Sequence, residues 1–103
     1  MFVIIFLTVI LTSCHAVTSS TKGESKNLVI SHFLPGNHPV QQQIFKEFGD
    51  KLNEHSEGRI TYDIYPSNAL GASGSQYDMA VTGEADIALS VHGYTNGRFP
   101  LVT

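Results

Sequence analysis

The feature that most constrains this chain is the alternation of strand-like and helix-like segments along residues 28–103. Residues 28–30 (LVI) are apolar and rich in β-branched side chains, which is typical of a buried strand. Residues 59–65 (RITYDIY) alternate between apolar and polar side chains, the period expected of a half-buried strand. Residues 87–89 (IAL) form a third short apolar segment. The three segments predict three strands of one sheet.

The segment between the first two strands has the pattern of an amphipathic helix over residues 40–54. Its apolar residues recur at helical spacing and predict one buried face. These residues are Val40, Ile44, Phe45, Phe48 and Leu52. Asn37 or His38 is expected to cap this helix, Pro39 suits its first position, and Gly58 suits the stop after it.

A second helix is predicted over residues 75–82. Ser73 and Gln76 have the spacing of a capping box, and Gly83 is expected to end the helix. Its inward face is expected to carry Tyr77, Ala80 and Val81. The element order is therefore β-α-β-α-β, which predicts an α/β fold with a parallel sheet and right-handed crossovers. Ligands of such sheets bind beyond the carboxyl ends of the strands, here at residues 32–33, 65–70 and 90–94.

The amino terminus indicates export. Residues 2–11 (FVIIFLTVIL) are too short to span a bilayer as a helix but match the hydrophobic core of a secretory signal peptide, although no Lys or Arg precedes them. Residues 11–14 (LTSC) resemble a lipoprotein lipobox. We expect residues 1–13 to be a signal peptide, and residues 14–27 to be a lipidated Cys14 and a flexible tether. The alternative is an ordinary secretory signal in which Cys14 has no role.

Composition excludes some partners and leaves others open. The net charge is −3 and the sequence has no basic block, so nucleic acid is not expected to bind. Cys14 is the single cysteine, so the chain cannot form an internal disulfide.

The stretches GRITYDIYPSNALG and YDMAVTGEADIALS resemble a known family of transport proteins. The ordered set of Pro66, Leu70, Gly71, Gly83 and Asp86 is similar to the substrate-binding subunits of tripartite ATP-independent periplasmic (TRAP) transporters, in the C4-dicarboxylate-binding group. The resemblance covers about residues 27–103. It implies a two-lobed periplasmic-binding-protein fold of the type II-like kind, of which residues 28–103 are an incomplete N-terminal lobe.

The resemblance also implies a function. Members capture a small organic acid in the periplasm or cell envelope and deliver it to membrane permease subunits that use an ion gradient, with no enzymatic step and no cofactor. By position in the family pattern, the first-lobe ligand contacts fall near His32 and Phe33 and near Val91 and His92. The ligand-binding residues predicted here are His32, Phe33, His92 and Tyr94, of which Tyr94 offers a ring face and a hydroxyl. Because Phe33 and the neighbouring Val91 are apolar, the ligand is expected to have an aromatic or aliphatic portion. The family's carboxylate-pairing arginine lies later in sequence and matches neither Arg59 nor Arg98.

Two other classes of function were weighed. A zinc-binding lipoprotein would use histidines, of which His32 and His92 follow adjacent strands and are expected to approach each other. His38 and His55 have simpler roles, a helix cap and a solvated helix end, and the chain has no H-E-x-x-H motif. The loop GASGS precedes a helix but lacks the lysine of a P-loop, so an enzyme is not expected.

Overall fold

The computed structural model describes residues 23–101. It has three strands, which are β1 (Lys26–Ser31), β2 (Ile60–Tyr65) and β3 (Ile87–Ala88). The two helices are α1 (Lys46–His55) and α2 (Gln76–Thr82). A π-helical turn (Val40–Phe45, the π turn) leads into α1, and short 3-10 turns occupy Ser73–Ser75 and His92–Tyr94. The predicted signal peptide and the predicted lipidation of Cys14 lie outside the described residues.

The sheet is parallel throughout, with strand order β2-β1-β3, which confirms the predicted fold class. Strand β1 pairs with β2 along its whole length, from Lys26 opposite Ile60 to Ser31 opposite Tyr65. Strand β3 pairs with β1 only at Ile30 and Ser31. Right-handed crossovers to either side of β1 place α1 and α2 on opposite faces of such a sheet.

Strand β1 begins at Lys26, two residues before the predicted strand, so the end of the predicted tether is corrected. The Lys26 N–H donates to the Arg59 carbonyl at 2.8 Å. The Asn27 amide donates to Asp63 at 2.8 Å and accepts from the Thr61 hydroxyl at 2.8 Å. These bonds to β2 extend the strand across two polar residues that have no apolar pattern. At the other end of the sheet, β3 ends at Ala88 rather than Leu89.

The first helix is close to the predicted range but differs in its buried face. The N-cap residue of the π turn is Pro39 rather than the expected Asn37 or His38, although the ring nitrogen Nδ1 of His38 accepts the Val40 N–H at 3.2 Å. Phe45 is buried, whereas Ile44 is 56% exposed and Phe48 is 46% exposed. A π turn bonds residue i to i+5, so the residues that follow it are rotated relative to a continuous α-helix.

Helix α1 lies very close to β2 because of one glycine. Gly49 is buried, and a Cβ placed on it would come within 2.5 Å of the Tyr62 ring. The Tyr62 hydroxyl donates to the Asp50 carboxylate at 2.5 Å, which ties the same strand to the same helix.

The expected capping box of the second helix is not formed. The Ser73 hydroxyl donates to the Asn68 side chain at 3.2 Å, and the Gln76 amide donates to the Gly71 carbonyl at 3.0 Å. The predicted inward face is also wrong, since Gln76 and Met79 are buried while Ala80 and Val81 are exposed. The predicted helix stops are confirmed, because Gly58 and Gly83 have φ angles of 79° and 81°.

Candidate functional site

The carboxyl ends of the three strands meet at one edge of the sheet. The His32 N–H donates to the Tyr65 carbonyl at 3.1 Å, and the His32 carbonyl accepts the Asn68 N–H at 3.3 Å. On the other side of β1, the Leu89 N–H donates to the Ser31 carbonyl at 3.0 Å. The loops that follow all three strands therefore lie side by side, as the parallel topology predicts.

Two of the predicted ligand residues contact each other at this edge. The rings of Phe33 and Tyr94 lie edge to face, with centroids 5.5 Å apart and an interplanar angle of 69°. Phe33 is half-buried, whereas Tyr94 is 48% exposed. We name this pair the Phe33–Tyr94 wall. It joins the loop after β1 to the loop after β3 and leaves aromatic surface open to solvent.

His92, the third predicted ligand residue, lines a cavity of about 360 Å³ beside β3. The cavity is lined by Tyr77, Ala88, Ser90, Val91, His92 and Phe99. The His92 ring lies 4.7 Å from the Phe99 ring, and Phe99 in turn lies 5.3 Å from the Tyr77 ring. These contacts pack the segment after β3 against α2.

His32, the fourth predicted ligand residue, has no solvent-accessible surface. Its imidazole stacks on Phe45 with ring centroids 5.3 Å apart, and Nε2 lies 3.1 Å from Oε1 of Gln41. Burial lowers the pKa of His32, an effect that the hydrogen bond to Gln41 partly opposes. The ligand contact of His32 stays a prediction, and no accessible surface of this side chain supports it in the structure.

The predicted approach of His32 to His92 is also not observed, since the two imidazoles pack against different rings, Phe45 and Phe99. Among residues 23–101, no group of three or more His, Cys, Asp or Glu side chains is placed to hold a metal ion. In the same range, no helix has the length and apolar character needed to cross a membrane.

Each of the two arginines of the described part has a partner other than the rings of the Phe33–Tyr94 wall. Arg98 pairs with Asp78 at 2.9 Å and lies over the Tyr77 ring, 5.1 Å from its centroid. Arg59 donates to the Ser56 carbonyl at 3.0 Å at the opposite end of the sheet.

Sequence reasoning missed Gln41, which is the polar partner of the buried imidazole. It lies in the run QQQ at residues 41–43, where nothing in the pattern distinguishes it from its neighbours. Phe45 was predicted as a core residue, but its stacking on His32 depends on tertiary structure.

A parallel α/β sheet with aromatic side chains at its carboxyl edge defines an α/β ligand-binding lobe. The model of the family described as bacterial extracellular solute-binding protein, family 7, matches residues 30–103. The chain belongs to this family, which comprises TRAP solute-binding proteins.

Solved structures of TRAP solute-binding proteins share the fold. One comes from a marine metagenome microbe, is specific for aromatic acid ligands and contains 3-hydroxybenzoate. It is 32% identical to this chain with a TM-score of 0.71, and the match covers 76% of this chain and 25% of that protein's chain. Another comes from Rhodoferax ferrireducens T118 and contains copurified benzoate. It is 39% identical to this chain with a TM-score of 0.67, and the match covers 74% of this chain and 24% of that protein's chain.

A curated relative is the outer membrane transporter protein TsaT of Comamonas testosteroni. It is 28% identical over 86 residues, which are 84% of this chain and 25% of that protein. The chain thus spans about a quarter of the length of the relatives that it matches.

Proposed function

We propose that this chain forms one wall of the ligand cleft of an extracytoplasmic TRAP solute-binding protein that captures an aromatic carboxylate. The ligand's ring packs against the Phe33–Tyr94 wall, with Val91 and His92 at the margin. A membrane permease driven by an ion gradient receives the ligand unchanged. The observation that carries this proposal is the contact of Phe33 with Tyr94 at the carboxyl ends of two strands.

The chemistry of the wall favours an aromatic ring over a C4-dicarboxylate. Aromatic rings attract one another in edge-to-face geometry at centroid distances of about 4.5–7 Å, and a benzoate ring can extend the pair by the same contact. A dicarboxylate has charged groups at both ends and gains nothing from an apolar wall. The two solved relatives with benzoate and 3-hydroxybenzoate support the same choice.

The carboxylate of the ligand requires a cationic partner that the wall does not supply. A bidentate arginine–carboxylate pair is the usual solution. Arg98 is already paired with Asp78, and Arg59 lies at the far end of the sheet. We therefore assign the carboxylate partner to a part of the protein outside this chain, on the opposite lobe.

The amino terminus fits this role. Residues 1–13 act as the signal peptide, Cys14 carries the lipid, and the polar residues after it separate the binding lobe from the membrane. These assignments support a periplasmic or cell-envelope location. A zinc-binding lipoprotein is not proposed, because the chain belongs to a solute-binding family and its described histidines are not clustered.

The decisive experiment is calorimetric titration of the protein expressed from its complete open reading frame. Benzoate and 3-hydroxybenzoate are expected to bind more tightly than succinate, and NMR of the recovered ligand should show it unaltered. Phe33→Leu should raise the Kd for benzoate by about 3- to 10-fold through loss of the aromatic pair.

A matched control is Phe48→Leu on α1, where the phenylalanine is 46% exposed and is not one of the two rings of the wall. Its Kd should equal that of the wild-type protein. Tighter binding of succinate, or equal Kd values for Phe33→Leu and wild type, contradicts the aromatic-acid assignment.

A further inference from the structure

We propose that His32, together with Gln41, is a positioning residue that holds Phe33 against Tyr94, and that it performs this task only as a neutral imidazole. The inference rests on the proposed function where ligand binding is the readout. Its structural part, the orientation of Phe33, can be tested without any ligand.

The first observation is the complete enclosure of the imidazole. His32 has no accessible surface, its ring stacks on Phe45, and its Nε2 lies 3.1 Å from Oε1 of Gln41. Phe45 and Gln41 both belong to the π turn. The imidazole therefore connects the end of the central strand to the segment that begins the first helix.

The second observation concerns the main chain of His32. Its N–H and its carbonyl both bond to the β2 side, to Tyr65 and Asn68, so the residue continues the ladder beyond β1. Phe33 follows His32 directly, in a bend of the chain, and its ring contacts Tyr94. Because the two residues are adjacent, fixing the imidazole on the π turn restricts the positions that are open to the Phe33 ring.

The third observation is that the loop after β1, residues 32–39, is attached to the π turn at further points. The Gln42 amide donates to the Gly36 carbonyl at 3.1 Å, and Nδ1 of His38 accepts the Val40 N–H at 3.2 Å. π-helical turns are rare and are frequently found at functional sites. Here the turn provides the surface on which the loop carrying Phe33 is anchored.

The protonation state follows from these surroundings. With Oε1 of Gln41 accepting, Nε2 carries the proton of a neutral ring. A second proton would place a charge in an enclosed, ring-packed site, and burial accordingly lowers the pKa of His32. Within residues 23–101, the titratable group that acts on His32 is His38, whose charge lowers that pKa further; Gln41, Phe45 and Leu34 contribute no charge.

The direction of the pH effect can now be worked out. A histidine with its ordinary pKa of about 6.5 binds more protons below that pH than the buried neutral ring does. As the pH falls below about 6.5, conformations in which the His32 imidazole has left its buried site bind an additional proton and become more populated. The wall should loosen in this range, whereas a carboxylate ligand stays ionised down to about pH 4.

The ligand-free test measures nuclear Overhauser effects between the Phe33 and Tyr94 ring protons in the protein from the complete reading frame. We expect this signal at pH 7.5 in the wild type and its loss in His32→Leu and in Gln41→Leu. His32→Gln, which retains an N–H donor but cannot titrate, should restore it. His55→Leu, at the exposed end of α1, is the matched control. Far-UV circular dichroism shows whether each variant is folded. If His32→Leu is not folded, Gln41→Leu alone is compared with the wild type.

The binding test measures the Kd for benzoate between pH 7.5 and pH 5.5. His32→Leu should raise the Kd by about 10-fold at pH 7.5, as expected when a buried amide loses its hydrogen-bond partner. The wild type and His55→Leu should bind more weakly as the pH falls, and His32→Gln should lose this dependence.

The two proposals fail in different ways. If the ring signal persists in both His32→Leu and Gln41→Leu, or if the pH dependence of binding persists in His32→Gln, the positioning role is wrong even though the acid binds. If the ring signal behaves as expected but no aromatic acid binds to the wild type, the positioning role stands and the proposed function is wrong.

Discussion

The two ends of the sheet differ in chemistry. The carboxyl end carries aromatic rings and histidines, including the Phe33–Tyr94 wall and the packed pair His92 and Phe99. The amino end carries charged groups, including a Lys26–Asp86 ion pair at 2.9 Å. This difference is consistent with the proposal that the carboxyl end recognises a ligand, while the ion pair at the amino end holds the strands together.

Cavity size alone would have assigned these roles in reverse. A cavity of about 630 Å³ lies at the amino end, where it is lined by Gly23, Glu24, Ser25, Glu57, Gly58 and Arg59. It is larger than the cavity beside β3, but its lining contains no aromatic ring. The proposal of a ligand at the carboxyl edge therefore rests on the side chains there and not on cavity volume.

Asp86 explains how a strand of two residues is held in the sheet. Its N–H donates to the Val29 carbonyl at 2.9 Å, and its carboxylate accepts the Val29 N–H at 2.9 Å. The carboxylate also pairs with Lys26. The side chain thereby replaces a strand carbonyl and extends the pairing of β1 beyond the two residues opposite β3.

The largest loss of stability is expected from a substitution at Gly49, which lies in α1 between the two ends of the sheet. A Cβ at this position would come within 2.5 Å of the Tyr62 ring, so α1 or β2 must move. We expect Gly49→Ala to lower the free energy of unfolding by about 1–3 kcal/mol, the usual cost of overpacking. Urea unfolding measures this change. Gly93→Ala, where an added Cβ meets no atom within 4 Å, is the control, and equal losses in both variants would contradict the prediction.

The next largest loss of stability is expected from a substitution at Asp86, and it should leave ligand binding at the carboxyl end unchanged. Asp86→Asn loses the charge that pairs with Lys26 and weakens the acceptor for the Val29 N–H. The melting temperature should fall by a few degrees while the Kd for benzoate at pH 7.5 stays unchanged. A Kd that rises together with the loss of stability would show that the two ends are not independent.

The two ends of the sheet should also lose their stabilising interactions in different ranges of acid pH. The hydrogen bond from Val29, and next the contact with Lys26, lower the pKa of Asp86. The folded state therefore holds this proton less tightly than the unfolded state. The stability that Asp86 contributes is complete above its ordinary pKa of about 4 and is lost as the pH falls through the lowered value.

Urea unfolding between pH 5 and pH 2.5 measures this loss, and Asp86→Asn should show a shallower acid dependence than the wild type. At the carboxyl end, the change attributed to His32 is expected at milder acidity, below about pH 6.5. If the free energy of unfolding fell identically with pH in Asp86→Asn and in the wild type, Asp86 would not be a cause of the loss of stability in acid.

The smallest effect is expected for the ion pairs on the exposed side of α1. Lys51 and Glu47 are paired at 2.7 Å with both side chains more than half exposed, where solvent screens the attraction. Lys51→Ala should leave both the melting temperature and the Kd for benzoate unchanged within error. A clear fall in the melting temperature would mean that this helix face is part of a larger interface.

Prediction from the sequence succeeded where the pattern is local. The alternation in β2, the helix stops at Gly58 and Gly83, and the β-α-β-α-β order can be read from neighbouring residues, because side-chain period and glycine conformation act within a few positions. The faces of the helices were less accurate. The π turn rotates the residues that follow it, and it has no clear signal in the sequence.

The candidate site shows the same division. Parallel topology was enough to bring Phe33 and Tyr94 to one edge, since carboxyl ends of parallel strands meet there. The position of His32 was not predictable, because its burial depends on Phe45 and Gln41, which reach it only after the first helix packs on the sheet.

The β-α-β-α-β order along the chain and the edge at which the strands' loops meet were thus determined by the sequence itself, through the periods of its apolar residues and the usual parallel pairing of such units. Only tertiary structure decided which side chains are exposed at that edge. Exposure depends on the packing of residues distant along the chain, and the pattern of neighbours carries no information about it.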